Sequence, residues 1–232
     1  MKRLLLLILT LATVACLAAC DTTPVVPHTN TPATEDTSPV VDPYTSYVVS
    51  LPSVDRVTNF VQFTMEGGAT FVVELYPDMA PETVANFQYL VYAGFYNGLT
   101  FHRVMEDFMI QGGDPNGNGT GSSNVKIKGE FAANGFEQNT LKHERGVISM
   151  ARSNAPDSAS CQFFIVHADY PSLNGKYAAF GRVVAGMETV DTIATLEVTS
   201  QPLSGELSKP VRAPVIKSAY FVDYVAPEVP AE

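Results

Sequence analysis

Four side chains between Thr100 and Asp114 are of types that could act together on a carbonyl group. They are one guanidinium, two bulky apolar groups and one amide: Arg103, Phe108, Met109 and Gln111. A guanidinium and an amide donate hydrogen bonds to a carbonyl, and apolar side chains beside them can hold an apolar group. The set offers no nucleophile. It therefore predicts a site that binds and polarises without attacking.

A strand is predicted to position the arginine. Alternation from Phe101 to Val104 puts Phe101 and Arg103 on one face and His102 and Val104 on the other, so His102 is predicted to be structural. The stretch then ends at Gly112-Gly113, which breaks regular structure.

The remaining apolar pattern predicts a mainly β protein with two helices. Strands are predicted near 61–65, 71–75, 147–151, 161–167, 177–184 and 215–225, and helices from Pro81 to Gly94 and over 187–196. Because the strands do not alternate with helices, the pattern favours a closed antiparallel barrel over a parallel sheet.

Composition limits the classes of partner. The chain of 232 residues has a net charge of −10, which becomes −12 if Lys2 and Arg3 are removed (12 basic against 24 acidic residues). An acidic surface repels phosphate backbones, so no nucleic-acid partner is expected. The Gly-rich segment 114–123 lacks the Lys-Ser/Thr ending of a phosphate loop. Cys161 lies in an apolar run and is predicted to be a buried, inert thiol.

The chain divides into four predicted parts. Residues 1–20 have the plan of a secretory signal, and their last four, Leu17-Ala18-Ala19-Cys20, resemble the bacterial lipobox, in which the cysteine is lipidated. An ordinary signal with Cys20 unmodified is the alternative. Residues 21–54 are predicted to be a Thr/Pro-rich disordered linker, 55–225 the folded domain and 226–232 a flexible tail.

Five motifs follow one another in the predicted domain: FYNGLTFHRV at 95–104, FMIQGGD at 108–114, GVISMA at 146–151, SCQFFI at 160–165 and LNGKYAAFG at 173–181. In order and spacing they resemble the cyclophilin-type peptidyl-prolyl cis-trans isomerases, across about 57 to 225. The resemblance implies a closed eight-stranded antiparallel β-barrel capped by two α-helices, and no cofactor is expected. His143 and His167 are isolated and show no ligand spacing, so no metal site is expected either.

The resemblance also implies roles for individual residues. Arg103 matches the catalytic arginine, and Gln111 the glutamine that steadies it and contacts substrate. The implied substrate-binding residues are Phe108, Met109, Ala151, Arg152, Phe164, Leu173 and Tyr177. Ser172 and Tyr177 replace a tryptophan and a histidine of the best-known eukaryotic members, and the missing tryptophan predicts weak cyclosporin binding.

The functional hypothesis is a monomeric isomerase that assists the folding of exported proteins. It would act on proline-containing segments outside the cytoplasm, held to the bacterial cell membrane through lipidated Cys20. One alternative is a noncatalytic proline-peptide binding module or holdase chaperone. Another is a solute-binding lipoprotein of a transporter, which would need two lobes and a longer chain.

Overall fold

Apolar alternation produces ten short strands in the region that the computed structural model describes, residues 54–225. In that region the strands are β1 (Phe60–Met65), β2 (Thr70–Leu75), β3 (Phe101–Met105), β4 (Met109–Gly112), β5 (Val147–Met150), β6 (Phe163–Val166), β7 (Ala179–Ala185), β8 (Val198–Ser200), β9 (Leu207–Pro210) and β10 (Ile216–Phe221). The helices are α1 (Pro81–Tyr92) and α2 (Met187–Ala194), with 3-10 turns at Ala132–Asn134 and Pro171–Leu173. The fold is mainly β with two helices, as predicted.

Eight of the strands form one antiparallel sheet that curls into a half-barrel. Its order is β10-β1-β2-β7-β5-β6-β4-β3, and every neighbouring pair is antiparallel. Strands β8 and β9 form a separate two-stranded hairpin, and β9 packs beside β3. The sequence patterns did not predict this hairpin.

The prediction of a closed barrel is correct in strand number and antiparallel sense but wrong in closure. The edge strands β3 and β10 are not paired as strands, and a single bridge between Thr100 and Val215 joins their ends. The next position is Phe101, whose N–H donates to the carbonyl of Pro214 (3.0 Å). Because Pro214 has no N–H to donate in return, pairing stops there.

The two faces of the sheet bury different apolar clusters. On β6, Phe163 and Ile165 point into the main core, which also contains the apolar faces of both helices. Phe164 and Val166 alternate with them and belong to a smaller cluster with Met109. We call the side of the sheet that carries Phe163 the core face and the side that carries Phe164 the outer face.

Helix α1 begins where the sequence predicts, with Pro81 in its first turn. Its N-cap residue, Ala80, provides no side-chain hydrogen bond. The carboxylate of Glu130 instead accepts hydrogen bonds from the N–H groups of Glu82 (3.0 Å) and Thr83 (2.8 Å). A carboxylate near a helix N-terminus satisfies unpaired donors and complements the helix dipole.

The alternation predicted for β3 fails at His102. Pairing with β4 shifts register between Phe101 and Arg103, so Phe101 and Val104 both reach the main core. Such an irregularity redirects the side chains that follow it. His102 is buried, and its burial lowers its pKa. Neither ring nitrogen has a hydrogen-bond partner among the described residues.

Candidate active site

A half-open cavity of about 180 Å³ lies on the outer face of the sheet. It is lined by all nine residues that the sequence predicts for catalysis and substrate binding: Arg103, Phe108, Met109, Gln111, Ala151, Arg152, Phe164, Leu173 and Tyr177. Strands β3, β4 and β6 provide four of them, the 3-10 turn Pro171–Leu173 provides Leu173, and loops provide the other four. The fold therefore brings these residues together, and their individual roles stay predictions.

The apolar floor of the cavity is supported from behind by a buried histidine. The ring of His143 is nearly parallel to that of Phe164, with 5.9 Å between centroids. Its Nε2 lies 3.0 Å from Ser149 Oγ, and its Nδ1 lies 3.3 Å from Asn174 Oδ1. Burial is the main cause that lowers the pKa of His143 to about 4, so the ring is neutral at pH 7. The sequence pattern indicated only an isolated histidine here.

Arg103 stands at one side of this floor with its guanidinium half-buried. Nη1 lies 3.3 Å from Gln111 Oε1 and 3.7 Å from Met109 Sδ. On the opposite edge, Nε and Nη2 donate to the carboxylate of Glu206, at 2.5 and 2.8 Å. Glu206 lies between β8 and β9, so the sequence reasoning that missed the hairpin also missed this residue.

A second glutamine fixes the amide of Gln111. Gln111 Nε2 donates to Gln162 Oε1 (2.9 Å). Gln162 Nε2 in turn donates to the carbonyls of Gly119 (3.2 Å) and Gly121 (2.8 Å). This relay orients the Gln111 oxygen toward Arg103. Gln162 lies within a predicted motif, but its supporting contact was not predicted.

The far rim of the cavity contains the second arginine. Arg152 places its guanidinium 4.5 Å from the ring centroid of Tyr177 and 5.0 Å from that of Phe131. It also donates to the carbonyl of Lys176 through Nη2 (2.8 Å). The N–H of Ala151 is engaged as well, because it donates to the carbonyl of Gln162 (2.9 Å).

In the Gly-rich loop, residues 114–123, backbone N–H groups donate hydrogen bonds within the loop itself. The carboxylate of Asp114 accepts hydrogen bonds from the backbone N–H groups of Asn116, Asn118 and Gly119. A phosphate-binding loop needs such N–H groups directed at a ligand. These donors are already directed at an anion that belongs to the chain.

Three further sequence-based expectations concern cysteine, metal and membrane. Cys161 is fully buried, as predicted, and burial raises the pKa of its thiol. Among residues 54–225 no group of three potential metal ligands occurs. No helix of the same region is long and apolar enough to span a membrane. The predicted lipidation site, Cys20, lies outside the described residues.

A family model described as "Cyclophilin type peptidyl-prolyl cis-trans isomerase/CLD" matches residues 60–220. This range spans more than half of the chain and includes every residue that lines the cavity. The chain belongs to the cyclophilin family of peptidyl-prolyl cis-trans isomerases.

Curated relatives of this cyclophilin are named as peptidyl-prolyl cis-trans isomerases. Peptidyl-prolyl cis-trans isomerase B of Bacillus subtilis is 45% identical over 139 residues, covering 60% of this chain and 93% of the relative. Peptidyl-prolyl cis-trans isomerase-like 1 of Aspergillus fumigatus is 40% identical over 152 residues, covering 64% and 90%.

Solved cyclophilin structures share the fold. A cyclophilin type peptidyl-prolyl cis-trans isomerase of Cryptosporidium parvum, crystallised in the presence of the dipeptide Ala-Pro, matches with a TM-score of 0.62 at 29% identity. The match covers 71% of this chain and 99% of that one.

Of the two departures from the best-known cyclophilin pattern, Tyr177 lines the cavity and Ser172 is the neighbour of the lining residue Leu173. Tyr177 meets the ring of Phe164 edge-on, with centroids 5.9 Å apart, so an aromatic wall is retained. Ser172 is exposed in the 3-10 turn beside Leu173. A serine there presents far less apolar area than a tryptophan would.

Proposed function

We propose that this cyclophilin accelerates X-Pro isomerisation in exported proteins at the outer face of the cytoplasmic membrane, with Arg103 as its catalytic residue. The observation that supports this site is a guanidinium directed into a cavity floored by Met109 and Phe164. An apolar slot beside a fixed cation suits a proline ring and the carbonyl attached to it.

The reaction requires no bond to be broken. Rotation about a peptide bond has a barrier of about 18–20 kcal/mol because the nitrogen lone pair is shared with the carbonyl. For X-Pro the two planar forms differ by only about 0.5–1 kcal/mol, yet they exchange over tens to hundreds of seconds. A catalyst must therefore bind the twisted state better than either planar state.

Arg103 has the chemistry to favour the twisted state. In that state the lone pair returns to the prolyl nitrogen, which becomes a better hydrogen-bond acceptor. The guanidinium of Arg103 is planar, rigid and permanently charged, so it can donate a hydrogen bond to this nitrogen or to the carbonyl oxygen. Each tenfold acceleration needs about 1.4 kcal/mol of preferential stabilisation. A charge-assisted hydrogen bond of roughly 1.5–3 kcal/mol provides a large part of a thousandfold acceleration.

The apolar residues have the complementary task of holding the ring still. Phe108, Met109, Phe164 and Leu173 line the cavity beside Arg103. If the ring is fixed, the acyl side of the bond rotates against a constant reference, which lowers the entropic part of the barrier. The Ala-Pro dipeptide named for the Cryptosporidium parvum relative supports a proline-containing ligand for the same fold.

Sequence features outside the described residues support the proposed location. An apolar run ending in Leu17-Ala18-Ala19-Cys20 is typical of a lipoprotein signal, and the proline-rich segment that follows would separate a domain from a membrane. We propose that Cys20 is lipidated, that residues 21–54 form a linker and that the domain acts as a monomer on exported chains.

The isomerase proposal is tested by exchange NMR on a short X-Pro peptide. The wild type should accelerate cis–trans exchange, and Arg103→Ala should lower kcat/KM by about 10²- to 10³-fold. Arg182→Ala is the matched control, because Arg182 also pairs with a glutamate, Glu144, but does not line the cavity. A wild type that binds the peptide without measurable acceleration would instead be a noncatalytic proline-peptide binding module.

The location is tested separately by cell fractionation. The wild-type chain should be found with the membrane and incorporate a labelled fatty acid. Cys20→Ala should abolish incorporation and release the chain from the membrane. Unlabelled wild-type protein in the soluble extracytoplasmic fraction would contradict the lipoprotein proposal and leave the isomerase proposal intact.

A further inference from the structure

Arg103 is bound on one edge by a carboxylate that comes from the β8–β9 hairpin. Glu206 Oε2 accepts from Arg103 Nε at 2.5 Å, and Oε1 accepts from Nη2 at 2.8 Å. Two parallel hydrogen bonds of this kind define both the position and the plane of a guanidinium. A single contact would leave the plane free to rotate.

This pair differs from an ordinary surface ion pair in its burial. The side chains of Arg103 and Glu206 are only 26% and 34% exposed, whereas those of Arg56 and Asp223 are 64% and 57% exposed. Exposed pairs contribute little because water screens them and their side chains remain mobile. The hydrogen bonds from Arg103 hold the pKa of Glu206 at about 2, so the carboxylate is ionised throughout the neutral range.

The carboxylate is itself held in place. Ser208 Oγ donates to Glu206 Oε2 at 2.7 Å, and the Glu206 carbonyl accepts from the N–H of Gln201 at 2.7 Å. Gln201 Nε2 also donates to the carbonyl of His102 at 2.9 Å. The hairpin is therefore attached to β3 at the residue directly before Arg103.

With that edge occupied, the guanidinium presents its other end to the cavity. Nη1 is the nitrogen near Gln111 Oε1 and Met109 Sδ, and both of these residues line the cavity. Free arginine side chains have much rotamer entropy, and an anchored fork loses less when it forms the productive hydrogen bond. A ligand in the cavity would meet Nη1, whose present contacts to Gln111 Oε1 and Met109 Sδ are long, at 3.3 and 3.7 Å.

We infer that Glu206 is a positioning residue for this reaction, acting through Arg103. The inference rests on the proposed catalytic role of Arg103. A carboxylate so close also offsets part of the arginine charge, which would slow the reaction. The pair is only partly buried, so solvent still reduces the effect of the Glu206 charge on a ligand at Nη1. Misplacement of a donor by about 1 Å, in contrast, can cost about a hundredfold in rate. Positioning should therefore exceed charge compensation.

The test is Glu206→Gln, which keeps the side-chain size and removes the charged fork. Exchange NMR with a short X-Pro peptide should show kcat lowered by about fivefold to tenfold. The dissociation constant of the peptide, from an NMR titration, should change by less than about twofold, because the lost contribution belongs to the transition state. Glu206→Ala should lower kcat at least as much.

Glu144→Gln is the matched control, since it removes the same charge from another Arg–Glu pair that does not line the cavity. Its kcat should equal that of the wild type. An unchanged or increased kcat in Glu206→Gln would overturn the inference, and an increase would show that the carboxylate restrains Arg103.

A spectroscopic readout separates this inference from the proposed function. The Arg103 Nε–H signal should be sharp in the wild type and broadened by exchange with water in Glu206→Gln. If the wild type were inactive, the proposed function would fail, while this signal would still report whether Glu206 holds the guanidinium. A signal that is equally sharp in both proteins would overturn the positioning role.

Discussion

The core face and the outer face of the sheet use the same strands for opposite purposes. On β6, Phe163 is packed among aromatic rings in the main core. Its ring centroid lies 5.9 Å or less from the centroids of four other rings: Phe63, Phe87, Tyr96 and Phe101. The adjacent Phe164 forms the floor of the cavity and contacts His143 and Tyr177. Because strand side chains alternate, one residue step changes a stabilising side chain into one that faces a ligand.

The two faces also differ in how their side chains are fixed. Residues of the core face are held mainly by close packing, which leaves few voids; the hydrogen bond from the Tyr96 hydroxyl to the Cys161 carbonyl is an addition to it. The outer face adds directional contacts: the His143 hydrogen bonds, the glutamine relay and the pair between Arg103 and Glu206. Packing gives the molecule its stability, whereas hydrogen bonds determine which atoms the cavity presents. Five measurements test this distinction.

The largest effect is expected from Phe163→Ala on the core face. Removing a fully buried phenyl ring should lower the free energy of unfolding by about 3–5 kcal/mol. Turnover per folded molecule should change little, because no cavity-lining atom is removed. Denaturant unfolding measures the first quantity and exchange NMR the second. A loss of stability smaller than that of Phe164→Ala would remove the distinction between the faces.

Arg103→Lys should have the next largest effect, and mainly on catalysis. Lysine keeps the charge but cannot form the bidentate pair with Glu206 or direct a second N–H at the substrate. We expect kcat/KM to fall about a hundredfold, or ~2.7 kcal/mol of transition-state stabilisation. The free energy of unfolding should fall by no more than about 1 kcal/mol, because the pair is partly exposed and lysine keeps the charge. Full activity in this variant would mean that charge alone is sufficient.

Lowering the pH should reduce the free energy of unfolding through protonation of His143, which supports the outer face. The folded protein keeps this ring neutral with a pKa of about 4, whereas the unfolded chain binds a proton near pH 6.5. The unfolded state therefore binds more protons between these values, so stability falls as pH decreases from 6.5 to 4 and changes no further on this account below 4. Over these roughly 2.5 pH units, at ~1.4 kcal/mol per unit, the loss should be at most about 3–4 kcal/mol.

The control for the acid effect is His143→Gln, measured by urea unfolding at several pH values. This variant should lose most of the slope between pH 4 and 6.5. His102 contributes a slope of the same sign because its pKa is also lowered, so some dependence should remain. An unaltered slope in the variant would show that His143 is not the titrating group.

Phe164→Ala provides the direct counterpart of Phe163→Ala. We expect kcat/KM to fall about tenfold, ~1.4 kcal/mol, because the cavity loses part of its floor. The free energy of unfolding should fall by less than half of the amount lost in Phe163→Ala, since the cluster of Phe164 is smaller and open on one side. Equal losses of stability in the two variants would contradict this view.

The smallest effect concerns Cys161, whose thiol should resist alkylation in the native protein. Burial removes access, and the raised pKa reduces the thiolate fraction that reacts. Mass spectrometry should find the peptide containing Cys161 unlabelled by iodoacetamide until denaturant is added. Rapid labelling under native conditions would show that the main core opens next to the start of β6.

Sequence patterns predicted the parts of the fold that depend on short-range periodicity. The strand around Phe163 and the helix beginning at Pro81 follow directly from apolar spacing and a proline in the first turn. The break at Gly113 is explained by its positive φ of 79° and by the Cys161 carbonyl, which would lie 2.6 Å from an added Cβ. Proximity to that carbonyl is a tertiary contact that a Gly-Gly pair only suggests.

What sequence reasoning missed depends on distant partners. Val198–Ser200 and Leu207–Pro210 are short and mixed in polarity, so the β8–β9 hairpin has no clear period. Glu206 is one of 24 acidic residues, and only the folded chain brings it to Arg103 across 103 positions. Closure of the barrel was overestimated because the effect of Pro214 depends on which residue it faces.

The side-chain amides of Gln111 and Gln162 are oriented in the same sense, so the chain of hydrogen bonds behind Arg103 runs in one direction. A glutamine can be turned end for end at almost no steric cost, so packing alone would leave Gln111 undecided between offering oxygen or nitrogen. The carbonyls of Gly119 and Gly121 can only accept, which forces Gln162 to present its oxygen onward and Gln111 to do the same. Two backbone atoms in a glycine loop thereby select which half of a distant side chain meets the arginine.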